Sequence, residues 1–262
     1  MIIDFHTHMF PDKIAKKTIT YLADVCQMKP HIYGTYEELK QITLESGVDL
    51  SIALPIVTKP KQFRSINEFA ARYQEKPVIS FGSIHPASEN YKEELRQIKE
   101  LGLKGIKLHP DYQEVHFDDI RYKRIVSYAS ELDLIISVHA GMDPKSPDDV
   151  HCTPKMAAEM IDEVAPPKMI LAHMGGYQRW DEAEKYLVGK PVYFDTGVSL
   201  DKMPEEQILR IVRNHGSDKI LFATDLPWSG QKEFIKIINE IALTEEEREK
   251  IFYKNACKLL DF

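Results

Sequence analysis

Long apolar runs are missing from this chain of 262 residues; those present, such as Leu134-Ile135-Ile136, are strand-sized. A membrane helix needs about 20 apolar residues, so a helical membrane protein is excluded. A basic surplus is missing too. Lys and Arg number 34 against 41 Asp and Glu, leaving a net charge of −7, and nucleic-acid binders usually carry basic faces. Cysteine is scarce: Cys26, Cys152 and Cys257 have no close pairing, which suits a reducing cytoplasm better than a disulfide framework. Cys26 and Cys257 fall in helical patterns and read as small buried hydrophobes. Cys152 lies in a loop and is a remote site candidate. Met1 leads straight into an apolar strand, which leaves no room for a signal peptide. Low-complexity tracts and Gly/Ser linkers are absent as well, so residues 1–262 read as one domain with an ordinary globular composition, 43% hydrophobic and 29% charged.

What is present is a beat of strand and helix. Apolar strands are predicted at 2–8, 50–56, 78–84, 105–109, 134–139, 169–173, 192–195 and 220–225. Helices fall between them. One runs from Pro11 to about Cys26, with Ile14, Thr18, Ile19, Leu22 and Val25 on one side. Others start at the capping-box pairs Thr35/Glu38, Ser65/Glu68, Asn90/Glu93 and Thr244/Glu247, where a side-chain oxygen can accept an otherwise unpaired backbone N–H. Gly47 and Gly102 stop two of them. A helix over about 125–132 precedes the fifth strand, and Thr153-Pro154 opens one through Val164. Further helices are expected at 180–187, 204–214 and 231–242. Eight such units predict an α/β chain folded as a single (β/α)8 TIM barrel with an extra C-terminal helix; an open doubly wound sheet is the alternative.

The polar residues fall at the strand ends: His8, His85, His109, His139, His173, Asp195 and Asp225. A barrel gathers its strand C-termini at one mouth, where catalysis sits. Asp4-Phe5-His6-Thr7-His8 carries two imidazoles two residues apart, so on a strand both face one side. They form half of a metal site. Buried unpaired polar groups cost several kcal/mol, and a shared cation resolves that cost for several at once.

Asp4-Phe-His-Thr-His8, Lys107-Leu-His-Pro110, Val138-His-Ala-Gly141, Ala172-His-Met-Gly-Gly176 and Ala223-Thr-Asp-Leu-Pro-Trp228 together resemble the amidohydrolase superfamily. More narrowly they are similar to its amidohydrolase 2 branch, which includes aminocarboxymuconate semialdehyde decarboxylase. The likeness spans the whole chain, to Asn255-Ala256 and Leu259-Leu260 in the last helix. It implies that His6, His8, His139 and Asp225 hold a divalent metal and that His173 acts on the metal-bound water. It also implies one ion rather than two. Strand four ends in His109 with Lys107 before it, and no Glu stands there to bridge a second metal. Zinc is the expected ion, with manganese and iron as alternatives.

The first reading of function is a metal-dependent hydrolase of a small ester, lactone or amide. The alternative is a nonoxidative decarboxylase on the same site, and a metal-binding protein without catalysis is the third. Catalytic roles are expected of His173 and Asp225. Substrate contacts are expected of Arg64, Arg179, His85, His109 and Trp228, with plain structural or solvated roles as the competing reading. The cationic loop residues suggest a substrate carboxylate. Asp195 reads as a turn cap, and His31, His116 and His151 as surface loop residues. The expected partner is a small molecule, in a cytoplasmic protein for which a homodimer is the default.

Overall fold

The computed structural model describes residues 1–262. The chain divides into two compact units, each assembled from separated segments. The first comprises 1–53, 75–79 and 195–262, the second 54–74 and 80–194.

In the first unit, β1 (Ile3–Thr7) and β2 (Leu50–Ala53) run parallel, Ile3 opposite Leu50 and Asp4 opposite Ser51. On the other side of β1, Phe5 N donates to Phe222 O, Asp225 N to His6 O and His8 N to Leu226 O. These bonds lay the segment 222–226 along the end of β1. Around the strands stand the helices Asp12–Cys26, Tyr36–Glu45, Glu205–His215 and Gln231–Glu240 and the C-terminal helix, which has one wide turn at Lys250–Lys254. Asn255 Nδ2 fastens that last helix to Ser217 O and Ile220 O.

In the second unit, the parallel strands follow chain order: β3 (Gly82–Ser83), β4 (Gly105–Leu108), β5 (Ile135–Val138), β6 (Met169–Leu171) and β7 (Tyr193–Asp195, through Phe194). All their apolar side chains are buried, as expected of parallel strands covered on both faces. Each strand is followed by a helix, which makes both units α/β in class. No helix is long and apolar enough to cross a membrane.

The capping boxes at Thr35/Glu38 and Thr244/Glu247 form, and Thr153 caps Pro154–Val164. Gly47 and Gly102 take positive φ past their helices. Several expectations need correction. The strand expected over 78–84 is broken at Phe81. Ser65 lies inside its helix, which begins at Phe63 directly after a 3-10 turn at Pro60–Gln62; Gln62 Oε1 holds the start of that turn by accepting from Thr58 N and Lys59 N. Asn90 flanks its helix without a side-chain bond. The helix before β5 starts earlier, at Ile120, because Asp119 accepts from Arg121 N. Ile14 faces solvent, since only Ala15 and Ile19 of its helix are buried. Cys26 and Cys257 are half-buried, not core.

Candidate metal and active site

In the first unit the site grows from the end of β1. His6 is buried and its two nitrogens are used differently. Nδ1 lies 2.9 Å from Asp195 Oδ2, while Nε2 lies 3.3 Å from Asp225 Oδ1. His8 Nε2 reaches the same Asp225 oxygen at 2.9 Å. When His6 donates its Nδ1 proton to Asp195, its Nε2 lone pair faces a carboxylate oxygen. Two acceptors at that distance repel unless a cation, proton or metal, lies between them. Two imidazole nitrogens and a carboxylate oxygen are also a common donor set for zinc or another divalent ion. A carboxylate behind a metal-binding imidazole is the usual way its orientation is held. The residues present therefore fit a divalent cation.

The backbone around this group is under constraint. Asp225 has φ of 62°, a left-handed conformation that non-glycine residues rarely adopt and that concentrates at functional sites. The eighth strand is only Ile220–Leu221, so Asp225 belongs to the turn beyond it and not to the strand expected over 220–225. Asp4 stands behind. Its carboxylate accepts from Thr224 N, Thr224 Oγ1 and Gln231 Nε2, which fastens the residue next to Asp225. Burial pushes the Asp4 carboxyl up to about 6, against the lowering effect of those hydrogen bonds. Gly197 passes so close that a Cβ there would lie 3.2 Å from Asp225 Cβ and 3.4 Å from His6 Nδ1. Asp195 does cap its turn, through Gly197 N, yet its other oxygen holds His6; that second role was missed.

The second unit holds a different group. His173 follows β6 in a turn with φ of 60°, again beyond the strand, and its carbonyl accepts from Trp180 Nε1 at 3.0 Å. His173 Nε2 lies 3.0 Å from His139 Nδ1. Gly141, with φ of 93°, makes the close approach that this turn needs, because a Cβ there would meet Tyr177 N at 2.1 Å. His109 stacks on His139 with centroids 4.1 Å apart and on Tyr112 at 4.0 Å. It also caps the short helix Pro110–Gln113, which the sequence reading lacked. His109, His139 and Asp143 form a second possible cation group.

The remaining candidates have plainer surroundings. His85 Nδ1 accepts from Ala87 N, and burial lowers its pKa. Arg64, with its side chain 87% exposed, pairs with Glu68, and Arg179 pairs with Glu182. Trp228 is half-buried, and its backbone N–H donates to Asp225 O. Lys107 is fully buried in β4. Cys152 is buried and its thiol pushed well up by burial, which makes it unreactive. His151 is not a surface residue. It is buried, with Nδ1 3.2 Å from Asp111 Oδ1.

A family model described as Amidohydrolase matches residues 3–262. The chain belongs to the amidohydrolase family. The match runs along its amidohydrolase 2 branch, as the ordered His and Asp motifs implied. No curated protein matches this amidohydrolase in sequence. Among solved structures it is similar to a dihydroxybenzoic acid decarboxylase from Polaromonas with bound manganese and the inhibitor 2-nitroresorcinol. There the identity is 16%, the coverage 99% of this chain and 96% of that one, and the TM-score 0.74. It is similar to a 5-carboxyvanillate decarboxylase from Novosphingobium aromaticivorans complexed with manganese and 4-hydroxy-3-methoxy-5-nitrobenzoic acid, at 16% identity, 100% and 96% coverage and TM-score 0.74. A TIM-barrel protein from Bordetella bronchiseptica is similar at 14% identity, 99% and 98% coverage and TM-score 0.75. The fold class of this amidohydrolase is thus the (β/α)8 barrel, and its His and Asp groups support a divalent metal.

Proposed function

We propose that this amidohydrolase is a metal-dependent nonoxidative decarboxylase of a small carboxylate, with carboxylated aromatics as the substrate class. The observation that carries this reading is the full-length likeness to two decarboxylases that hold manganese and aromatic ligands, joined to the His6–His8–Asp225 donor set. Hydrolysis, the first expectation because metal-hydroxide chemistry is the default use of such a site, has only the family's name behind it.

In this proposal His6, His8, His139 and Asp225 hold one divalent ion within one catalytic domain spanning 1–262. Manganese is the first ion to test, with zinc and iron as alternatives. When bound, the ion draws electron density from the substrate oxygens it contacts. The chain's own residues do the rest. Asp195 keeps His6 in orientation through Nδ1. His173 Nε2 carries a proton. As the bond between the ring carbon and the carboxylate breaks, carbon dioxide leaves, the electron pair stays on carbon, and the proton from Nε2 takes it up. Solvent then returns a proton to His173. Arg64 and Arg179 are proposed to meet the substrate carboxylate, and His85, His109 and Trp228 to wall the substrate. A cytoplasmic homodimer is proposed alongside, checked by fractionation and sedimentation.

Turnover of hydroxybenzoates and other aromatic carboxylates by the manganese-loaded protein in heavy water tests the reaction. Carbon dioxide release with deuterium on the product carbon is expected. Solvent oxygen-18 entering a newly formed carboxylate, without carbon dioxide, would establish hydrolysis instead.

A further inference from the structure

The stretch His85-Pro86-Ala87-Ser88 follows β3 in the second unit and folds into a turn of its own. Ser88 N donates to His85 O at 3.0 Å, which closes a four-residue turn with proline at its favoured second position. Proline has no N–H, so the first backbone donor past His85 is that of Ala87. It donates to His85 Nδ1 at 3.1 Å.

The chain leading into this turn is fastened as well. Gln113 Nε2 donates to Ile84 O at 2.7 Å and to Val57 O at 2.8 Å. Its Oε1 accepts from His109 N at 3.0 Å and from Tyr122 Oη at 2.7 Å. A primary amide has two N–H donors and two acceptor lone pairs, and Gln113 uses them all. One residue further back, Ser83 N donates to Asn67 Oδ1 at 2.9 Å. The His85 ring is thus set by a fixed backbone and by the bond to its Nδ1, and the residue is only 8% exposed.

An imidazole nitrogen that accepts an N–H cannot carry a proton itself. The Nδ1 lone pair is taken by Ala87, so a neutral His85 has its proton on Nε2. Burial, helped by the charge of Arg121 and opposed by that of Glu114, lowers the His85 pKa, which keeps the ring neutral at pH 7. Nε2 has no hydrogen-bond partner. Carrying a proton, it has no lone pair for a metal either. What it offers is one oriented N–H just past a barrel strand, at the end of the barrel where sites of this fold lie. A carboxylate taken out of water calls for a charged partner, whereas a neutral N–H suits an uncharged oxygen. We propose that His85 is a specificity residue whose Nε2–H donates to an uncharged substrate oxygen, a hydroxyl or ether on the aromatic ring. The aromatic half of this statement rests on the substrate class proposed above; the donor half does not.

Nitrogen-15 NMR of histidine-labelled protein loaded with closed-shell zinc tests the donor, with His85→Gln assigning the signals. A protonated-type shift at Nε2 and an unprotonated one at Nδ1 are expected at neutral pH, the Nε2 signal moving when a hydroxybenzoate is added. Calorimetry of the manganese-loaded protein with the monohydroxybenzoates and with benzoate tests the acceptor. The tightest hydroxybenzoate should bind better than benzoate. In His85→Phe its affinity should fall about 3–10-fold, the usual worth of one neutral hydrogen bond, with benzoate unchanged. His85→Gln, whose amide donates from nearly the same place, recovers most of the loss. Circular dichroism checks folding, and His85→Leu serves if the phenylalanine variant does not fold. A proton on Nδ1, protons on both nitrogens, loss of manganese from a folded His85→Phe protein or an unchanged preference in that variant overturns the proposal. So does a parent protein that binds no hydroxybenzoate better than benzoate. If the preference is found and depends on His85 while no carbon dioxide is released, decarboxylation fails and the role of His85 stands.

Discussion

The two His–Asp groups differ in how they are built. In the first unit, His6 and His8 sit on and just past β1, and the segment carrying Asp225 is hydrogen-bonded directly beside that strand. Their donor atoms come within 2.9–3.3 Å of one carboxylate oxygen. In the second unit, the atoms around His139 Nε2 stand 3.9 Å off, and two of the contributors, Asp111 and Asp143, come from the short helix and the loop beyond the strands. Ladder bonds deliver a compact donor set; the short helix and loop leave their carboxylates farther from the imidazole. The first arrangement suits holding an ion.

The largest effect should come from breaking the compact group. Asp225→Ala and His6→Ala are expected to lose the ion and lower turnover by at least about 10³-fold, given the several kcal/mol a metal supplies. Elemental analysis beside a carbon dioxide assay checks this. A His6→Ala protein that keeps its full metal content would move the centre elsewhere. His173→Ala should next lower turnover about 10²–10⁴-fold, as loss of a general acid does, while retaining the ion. Loss of the metal would make His173 a ligand.

Asp195→Asn sharpens the comparison, because it weakens the partner of His6 Nδ1 without touching Nε2. Metal affinity is expected to fall about 10–100-fold, measured by chelator competition, against little change for an exposed acid such as Asp148→Asn. Equal affinities for both would leave Asp195 as a turn cap alone. A smaller change is expected for Arg179→Met, which should raise KM for carboxylate substrates several-fold with kcat kept, about the loss of one charge-assisted hydrogen bond. An unchanged KM for both Arg179→Met and Arg64→Met would retire the carboxylate clamp.

The smallest effect lies away from both groups. Asp119 caps the helix Ile120–Glu131 and pairs with Arg121, whose hydrogen bonds hold its carboxyl at about 2. Asp119→Ala should cost about 1 kcal/mol at neutral pH, read by denaturant unfolding. A depressed carboxyl stabilises the fold above its unfolded value of 3.8. That share is lost as pH falls through about 2. The gap between variant and parent should therefore narrow in that window, and a gap that widened on acidification would contradict the capping role.

Most of the elements and the family were legible in the sequence, as was the order in which His and Asp residues follow the apolar strands. Apolar periodicity, capping pairs and ordered motifs are local, and each leaves its mark within a few residues. Thr35 with Glu38 and Thr153 with Pro154 placed helix starts to the residue. What tertiary structure decided was the partner of each polar group. Asp195 joins His6 across 189 residues, and Asp111 reaches His139 from a helix that four residues could not announce. The left-handed turns at His173 and Asp225 lie outside the strands that the apolar pattern extended through them. A backbone strained in this way persists only where surrounding contacts over-determine it, and those contacts come from segments far away in the chain.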